Sequence, residues 1–361
     1  MYANAVLYFN MRHFEEARKR FLEIATMYPK EDAAVYSANL IIESYRMEND
    51  WPNLEKWSQQ LAEMNLGSGE EGQSLNETLG TIQVGALFKK AERLDREEKY
   101  EEAAQEYIRL VNKHPDNRFA DRALNNAGVN YERLKKYDSA AALYERVYKD
   151  YPKSELADYA LFRVAFNNER FFSFDKAQEN YIQLVEQYPD SKYRAPSLYN
   201  AALSLENNQE YARAAKNYER FVELFPDSED APVAQYRAIA SYEKAGDSNG
   251  MIRAVRTFKD KFYSPERAHM VIEGMCKIGD AYLKQGDERK ARRAYLETLA
   301  EFERVGKAGS EAADWAAKAK FKLAEMLFEE YLAIKVGGGI GQLKRQIGKK
   351  KKMILELKSA Y

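Results

Sequence analysis

The sequence predicts an all-α protein built from repeated helical hairpins. Four prolines stand 37 residues apart along the chain, and apolar residues recur between them at helical spacing. Only nine prolines interrupt the 361 residues, and 31% of the residues are charged, which is a composition typical of helical chains. No segment shows the alternation that predicts a strand.

Each repeat carries the same anchor residues before its proline. An aromatic residue, an alanine and a tyrosine lie 15, 12 and 8 residues upstream, which for one repeat are Tyr137, Ala140 and Tyr144. Matched residue types at fixed distances indicate one structural unit that is repeated. The four prolines are Pro115, Pro152, Pro189 and Pro226.

Two helices are predicted within each unit. In residues 121–150, one helical stripe contains Leu124 and Gly128, a polar break follows at 135–138, and a second stripe begins near Ala140. Proline lacks an N–H group and disfavours helix in the preceding residue, so it should end the second helix. We expect such ends at Pro29, Pro115, Pro152, Pro189, Pro226 and Pro265. Serines after these turns, such as Ser154 and Ser228, are expected to cap the next helix.

The register extends in both directions and predicts eight hairpins, two over residues 1–66 and six over residues 78–305. Glycines at positions 67, 69 and 72 interrupt the array, so residues 67–77 are expected to form a loop or hinge. Such a segment is either a passive insertion or a flexible joint between the two groups of repeats.

The C-terminal part departs from the repeat pattern. Residues 311–334 predict an apolar-striped helix that caps the array, and residues 335–361 predict a glycine hinge followed by a basic helix. This last segment contains eight Lys/Arg and one Glu, although the whole chain has a net charge of −1. The first predicted helix lacks its opening turn and its cap, and the last one stops without a cap, so we expect that both ends are cuts in a longer protein.

The anchors resemble the signature of the tetratricopeptide repeat. The matching residues in one unit are Leu124, Gly128, Tyr131, Ala140, Tyr144 and Pro152. The resemblance implies a right-handed superhelical solenoid that binds other proteins, although the period is longer than the family's by about three residues. The turns at 151–154, 188–191 and 225–228 are similar to a bacterial subgroup. That subgroup includes the lipoprotein of the outer-membrane barrel assembly machinery and the Tol–Pal coordinator. It implies a periplasmic or envelope-associated protein, with a cytoplasmic location as the alternative.

No pattern in the sequence predicts catalysis, a cofactor or a metal site. The single cysteine, Cys276, excludes an internal disulfide and a thiolate metal cluster. His13, His114 and His269 lie on different repeats, and the glycines at 337–339 lack the Lys-Ser/Thr that completes a phosphate loop. We therefore expect a protein that is not an enzyme.

The family resemblance implies a concave groove lined by the first helix of each hairpin. The residues that the register places there are Arg122, Asn125, Tyr159, Phe162, Phe166, Tyr199, Leu203 and Tyr236. Exposed aromatic residues on charged surfaces indicate a site for an amphipathic helix or an extended segment of a partner. The alternative is that these side chains pack between adjacent first helices.

The leading hypothesis is thus a non-catalytic scaffold that docks partner proteins in this groove, within a bacterial envelope assembly. The second hypothesis is an adaptor whose basic tail docks on anionic membranes or phosphate-rich surfaces. Its residues are Lys349, Lys350, Lys351 and Lys352. No aromatic residues alternate with these lysines, so no nucleic-acid partner is expected. No apolar run is long enough to span a bilayer, so membrane association would require further segments or a partner.

Overall fold

The computed structural model describes residues 1–305 and 311–360, and all regular structure in these residues is helical. The prediction of an all-α array of hairpins is therefore confirmed. The chain divides into two compact units, one of residues 1–180 and one from residue 181 onward. We call them unit 1 and unit 2 and describe each by itself. Tyr361, the predicted end of the basic helix, lies outside the described residues.

Unit 1 contains nine helices and the beginning of a tenth. They are α1 (Tyr2–Asn10), α2 (Phe14–Met27), α3 (Asp32–Met47), α4 (Trp51–Glu63), α5 (Gly69–Arg96), α6 (Tyr100–Lys113), α7 (Ala120–Arg133), α8 (Tyr137–Asp150), α9 (Ala157–Arg170) and the first half of α10 (Phe174–Gln187). The odd-numbered helices are the first helices of the hairpins, and the even-numbered helices are the second.

Unit 2 continues the alternation from the end of α10. Its helices are α11 (Arg194–Asn207), α12 (Tyr211–Leu224), α13 (Ala231–Ala245), α14 (Ser248–Phe262), α15 (Ala268–Lys284), α16 (Glu288–Val305), α17 (Glu311–Ala333) and α18 (Ile340–Ala360). A short 3₁₀ helix, Pro265–Arg267, precedes α15.

The prolines end the second helices as predicted. α8 ends at Asp150, two residues before Pro152, and α2, α6, α10 and α12 end at the same distance from their prolines. α14 ends at Phe262, and Pro265 begins the 3₁₀ helix. These ends follow from the missing N–H group and the restricted residue before proline, which act locally.

Within each hairpin, the turn between the two helices places one residue in the left-handed region. These residues include Lys135 with φ 58°, Phe172 with φ 59°, Gln209 with φ 62° and Gly246 with φ 72°. They stand 37 residues apart, so the same turn recurs at the repeat period. Only glycine adopts this conformation without strain, and most of these hairpins use another residue.

A close contact between the two helices of a hairpin explains the signature glycine. A Cβ atom built on Gly128 of α7 would lie 2.8 Å from Cζ of Tyr144 on α8, and Tyr144 is fully buried. In unit 2, Gly279 of α15 faces the ring of Tyr295 on α16 in the same way. The glycine thus leaves room for the ring that fills the hairpin core.

The predicted loop at residues 67–77 is wrong for residues 69–77. These residues begin α5, a single helix of 28 residues, and Leu75 and Leu79 pack into the core formed with α1 to α4. Gly67 takes the turn with φ 78°, and its N–H donates to the Pro29 carbonyl at 2.7 Å. Burial of leucines therefore outweighs the low helix propensity of Gly69 and Gly72.

The predicted serine caps are also wrong. α9 begins at Ala157, and its preceding residue makes no side-chain cap. Ser154 Oγ instead accepts a hydrogen bond from the Leu156 N–H at 3.1 Å, and Ser228 Oγ accepts one from the Asp230 N–H at 3.2 Å. Both serines close the turn that leads into the helix.

The two C-terminal helices pack against each other. Met353 of α18 is buried, and Lys350 Nζ lies 4.4 Å from the ring centre of Tyr331 on α17. The Gly337 N–H donates to Gln346 Oε1 at 3.0 Å, which ties the connecting segment to α18. The basic helix is therefore docked on α17.

Candidate partner-binding faces

All eight predicted groove residues lie on first helices. Arg122 and Asn125 are on α7, and Tyr159, Phe162 and Phe166 are on α9, so these five belong to unit 1. Tyr199 and Leu203 on α11 and Tyr236 on α13 belong to unit 2. We call the exposed sides of the first helices the unit 1 face and the unit 2 face.

Aromatic side chains dominate the unit 1 face. Tyr159, Phe162 and Phe166 are all half-buried. The ring of Phe166 lies between two cations of its own helix, with Arg163 Cζ 4.6 Å and Arg170 Cζ 5.1 Å from the ring centre. These two contacts orient the ring, which stays half-buried.

A bidentate ion pair joins α9 to α7 beside these rings. Arg163 Nε donates to Glu132 Oε1 at 2.9 Å, and Arg163 Nη2 donates to Glu132 Oε2. Asn167 Nδ2 also donates to Glu132. Because both oxygens of the carboxylate are used, the orientation of Arg163 is fixed.

The two polar residues predicted on α7 differ in their surroundings. Arg122 is exposed. Asn125 is half-buried, and its Nδ2 donates to Asn126 Oδ1 at 3.4 Å. Within the part of the chain that the structure describes, the buried Oδ1 of Asn125 accepts no hydrogen bond. This oxygen is therefore a buried acceptor on α7 and is not accessible to a partner.

The apolar residues of the unit 2 face are partly inserted between helices. Tyr199 packs edge-on against Tyr218 and Phe221 of α12, each with ring centres 5.6 Å apart. Tyr236 donates from its hydroxyl to Glu273 Oε2 on α15 at 2.7 Å. Leu203 also packs against the core and is half-buried. These residues contribute to packing and also expose part of their surface.

An acidic residue occurs at the same position of six consecutive first helices. We call this set the acidic column; it comprises Asp95, Glu132, Glu169, Glu206, Glu243 and Asp280, each 37 residues after the previous one. Within each unit, members of the column form ion pairs with the first helix of the next hairpin.

In these ion pairs, the charged nitrogen and oxygen atoms are close enough to form hydrogen bonds. In unit 1, Arg133 Nη1 lies 2.7 Å from Asp95 Oδ1. In unit 2, Arg237 and Lys244 each lie 3.0 Å from Glu206, Lys277 lies 2.6 Å from Glu243, and Lys318 lies 2.7 Å from Asp280. Side chains thereby connect first helices in series within each unit.

The environment of Glu206 keeps it ionised. Burial raises the pKa of its carboxyl group, but hydrogen bonds from Lys244 and Tyr218 and the charges of Lys244 and Arg237 lower this pKa below its ordinary value. For Lys277, burial lowers the pKa, and hydrogen bonds to Glu243 and Glu273 raise it above the ordinary value. Both groups are therefore charged at neutral pH.

Trp315 is an aromatic residue near the acidic column that the sequence did not assign to a docking face. It lies on α17, with Lys277 Nζ 5.6 Å and Lys318 Nζ 4.9 Å from its ring. The reasoning also missed Lys244 and Lys318 as partners of the column. Their spacing in the sequence could have identified them, because both lysines stand 38 residues after their acidic partners.

The predicted basic-tail residues lie on α18, apart from the column. Lys349, Lys351 and Lys352 are exposed, whereas Lys350 packs over Tyr331. Lys352 Nζ lies 3.8 Å from Glu356 Oε1, one turn further along the helix.

Reactive groups on the described residues are few. Cys276 is fully buried, and burial raises the pKa of its thiol to about 12. Across residues 1–305 and 311–360, no group of three or more His, Cys, Asp or Glu side chains is arranged to hold a metal ion. Among the helices that the structure describes, none combines the length and the apolar character of a membrane span.

Comparison with known families identifies the repeats. Two family models, both described as tetratricopeptide repeat, match residues 88–155 and residues 159–191 and 197–228. These segments are therefore tetratricopeptide repeats, and that part of the sequence-based resemblance is confirmed. A search of the curated proteins found no match.

Several solved structures are similar to this chain at low identity. A tetratricopeptide repeat protein from Parabacteroides merdae is 17% identical over 75% of this chain and 98% of its own, with a TM-score of 0.37. A structure of MamA is 19% identical over 50% of this chain and 97% of its own, with a TM-score of 0.33. A MamA structure from Desulfovibrio magneticus is 15% identical over 52% and 97%, with a TM-score of 0.33.

Proposed function

We propose that this tetratricopeptide-repeat chain is a non-catalytic scaffold that docks partner proteins on its first-helix faces. The observation that carries the proposal is the unit 1 face, where Arg163 is fixed by Glu132 beside the half-buried ring of Phe166. An apolar centre with oriented charges at its edge is the arrangement that protein interfaces use.

The ligand class that fits this face is an amphipathic helix or an extended segment of a partner protein. Tyr159, Phe162 and Phe166 stand three and four residues apart on α9, so they form a stripe along one side of the helix. The apolar side of a partner helix would cover this stripe, and its polar groups would reach the exposed Arg170 beside Phe166.

We also propose that the assembly belongs to the bacterial cell envelope and that the protein is periplasmic or envelope-associated. The support is the similarity of the turns at 151–154, 188–191 and 225–228 to those of the outer-membrane assembly subgroup. Fractionation of cells that carry the full-length gene tests this proposal, and recovery of the protein with cytoplasmic markers alone would reject it.

Site-specific photocrosslinking in cells tests the docking face. A photoreactive amino acid at position 166 of α9 is compared with one at Lys149, an exposed position on the second helix α8. We expect position 166 to capture a defined protein partner that position 149 does not capture. The same adducts from both positions, or none from position 166, would reject the face as a docking site.

The captured partner then allows a quantitative test. Aromatic anchors at the centre of an interface contribute strongly, so Phe162→Ala should weaken binding by about 2 kcal/mol or more. Lys149→Ala is the control, because Lys149 is exposed on the second helix α8 and should cost less than about 1 kcal/mol of binding.

A further inference from the structure

The C-terminal part of unit 2 carries two surfaces of opposite charge that the docking faces do not use. The first is a groove of about 760 Å³ between α17 and the α15–α16 turn, which we call the acidic groove. Its apolar lining includes Leu283, Met326 and Phe328, and Phe328 is 44% exposed. Its rim is formed mainly by carboxylates, namely Glu288, Glu325, Glu329 and Glu330.

The charge of the rim is only partly compensated by the chain itself. Glu325 pairs with Lys322 at 2.7 Å, and Glu330 pairs with Arg292. Glu288 and Glu329 are exposed, and neither has an ion-pair partner among residues 1–305 and 311–360. The groove therefore presents an apolar floor beside uncompensated negative charge.

The second surface is a partly exposed strip of α18 that borders its contact with α17, and we call it the basic stripe. Leu343, Ile347 and Ile354 fall within about 40° of one another around the helix axis, and they are 37%, 40% and 38% exposed. Lys344 and Lys351 lie beside them, within about 60° of Ile347. Met353 is buried and lies about 120° from Ile347, whereas Lys350 packs over Tyr331 of α17 and lies about 60° from Ile347, on the side away from Lys344 and Lys351.

The cations of the basic stripe also lack partners within the chain. Lys344 and Lys351 are exposed, and neither forms an ion pair with another residue that the structure describes. The stripe thus combines apolar side chains with positive charge, and the acidic groove combines apolar side chains with negative charge. Apolar side chains that are grouped on a surface beside unpaired charges are characteristic of an interaction site.

We propose that the basic stripe of one copy docks into the acidic groove of a second copy of this chain. A second copy supplies both complementary surfaces at once, so a single contact covers the apolar residues of α18 and those beside α17. An anionic membrane matches the stripe only, because the carboxylates around the groove would be repelled by acidic lipids. Docking of stripe into groove joins unlike surfaces, so the assembly either closes as a symmetric pair or continues as a chain.

Sedimentation velocity of the full chain over a range of concentrations, with a charge-reversal design, tests the proposal. The first variant carries Lys344→Glu and Lys351→Glu, and the second carries Glu288→Lys and Glu329→Lys. Each alone should lose self-association by at least tenfold in dissociation constant, because like charges then meet at the contact. An equimolar mixture should associate again, because each variant's stripe matches the other's groove.

A matched control separates the stripe from charge in general. Arg345→Glu with Lys349→Glu makes the same change in charge on α18, but about 160° or more around the axis from Ile347. This variant should associate like the wild type, whereas Ile347→Asp should not. Circular dichroism of every variant checks that helix content is unchanged.

Several results would overturn the proposal. A wild-type chain that remains a monomer up to about 100 µM lacks the affinity that such a contact requires. Association of the mixture no tighter than that of each variant alone would exclude the groove as the partner of the stripe. Binding of the monomer to vesicles with phosphatidylserine, lost in Lys344→Glu/Lys351→Glu, would assign the stripe to an anionic membrane.

Discussion

Arg237 of α13 donates a hydrogen bond from Nη1 to Oε2 of Glu206 on α11, at 3.0 Å. The same oxygen accepts from the hydroxyl of Tyr218 on α12 at 3.0 Å. One carboxylate thus joins the two helices of its own hairpin to the first helix of the next hairpin. Arg163 and Glu132 form the equivalent pair in unit 1, and both pairs are separated by 31 residues in the sequence.

The first prediction concerns Glu206. Glu206→Gln removes the charge that Arg237, Lys244 and Tyr218 bind, so it should destabilise the protein by about 1 kcal/mol at pH 7. Chemical denaturation monitored by circular dichroism measures this loss. Glu223→Gln is the control, because Glu223 is an exposed carboxylate on α12 and its replacement should leave stability unchanged.

The pH dependence gives a second readout for Glu206. Its pKa in the folded protein is lower than its ordinary value, so its stabilising effect is present above the unfolded pKa and is lost as pH falls through the folded pKa. The difference in stability between wild type and Glu206→Gln should therefore shrink as the pH is lowered below about 4.5. A difference that stays constant from pH 7 to pH 3 would contradict this assignment.

The boundaries of the helices could largely be predicted from the sequence, because their causes are local. Pro152 ends α8 through its own backbone, and Gly128 leaves room for Tyr144 at a fixed distance along the chain. The start of α5 could not be predicted in this way. Its glycines favour a loop locally, and the burial of Leu75 and Leu79 against earlier helices decides the outcome.

The surface of the first helices could be predicted only in part. The register placed Tyr199 and Tyr236 correctly on first helices, but the sequence left open whether they are exposed or packed. The structure shows partial burial, because Tyr199 packs against Phe221 and the Tyr236 hydroxyl bonds to Glu273. Whether these contacts form depends on how far each side chain reaches across the neighbouring helix. The spacing of residues along the sequence does not give that distance.

The second mutational prediction concerns the signature glycine. A Cβ atom at position 128 would lie 2.8 Å from the Tyr144 ring, so Gly128→Ala should force the ring to move and Gly128→Leu should cost about 1–3 kcal/mol. Thermal unfolding measures both changes. Gly80→Ala is the control, because a Cβ on that glycine of α5 would meet no atom within 4 Å and should not destabilise the protein.

The third prediction separates packing from recognition on the two faces. Tyr199→Ala removes ring contacts with Tyr218 and Phe221, so it should destabilise the protein by about 2 kcal/mol. Phe166→Ala loses contacts with two arginines of its own helix and should cost about 0.5–1 kcal/mol of stability. Denaturation curves give both values, and equal losses would mean that Phe166 belongs to the core as much as Tyr199 does.

The last prediction concerns the hairpin turn between α7 and α8. Lys135 is exposed and has φ 58°, a conformation that is unfavourable for a residue with a side chain. Glycine removes this strain but loses more conformational entropy on folding, so Lys135→Gly should stabilise the protein by a net of about 0.5 kcal/mol. Lys135→Ala keeps the Cβ atom and should give no such gain, which distinguishes backbone strain from loss of the lysine charge. Gly246, at the equivalent turn of unit 2 with φ 72°, provides the reverse test, because Gly246→Ala should destabilise by about 1 kcal/mol. If Lys135→Gly and Lys135→Ala are equally stable in chemical denaturation, the turn stores no strain at this position.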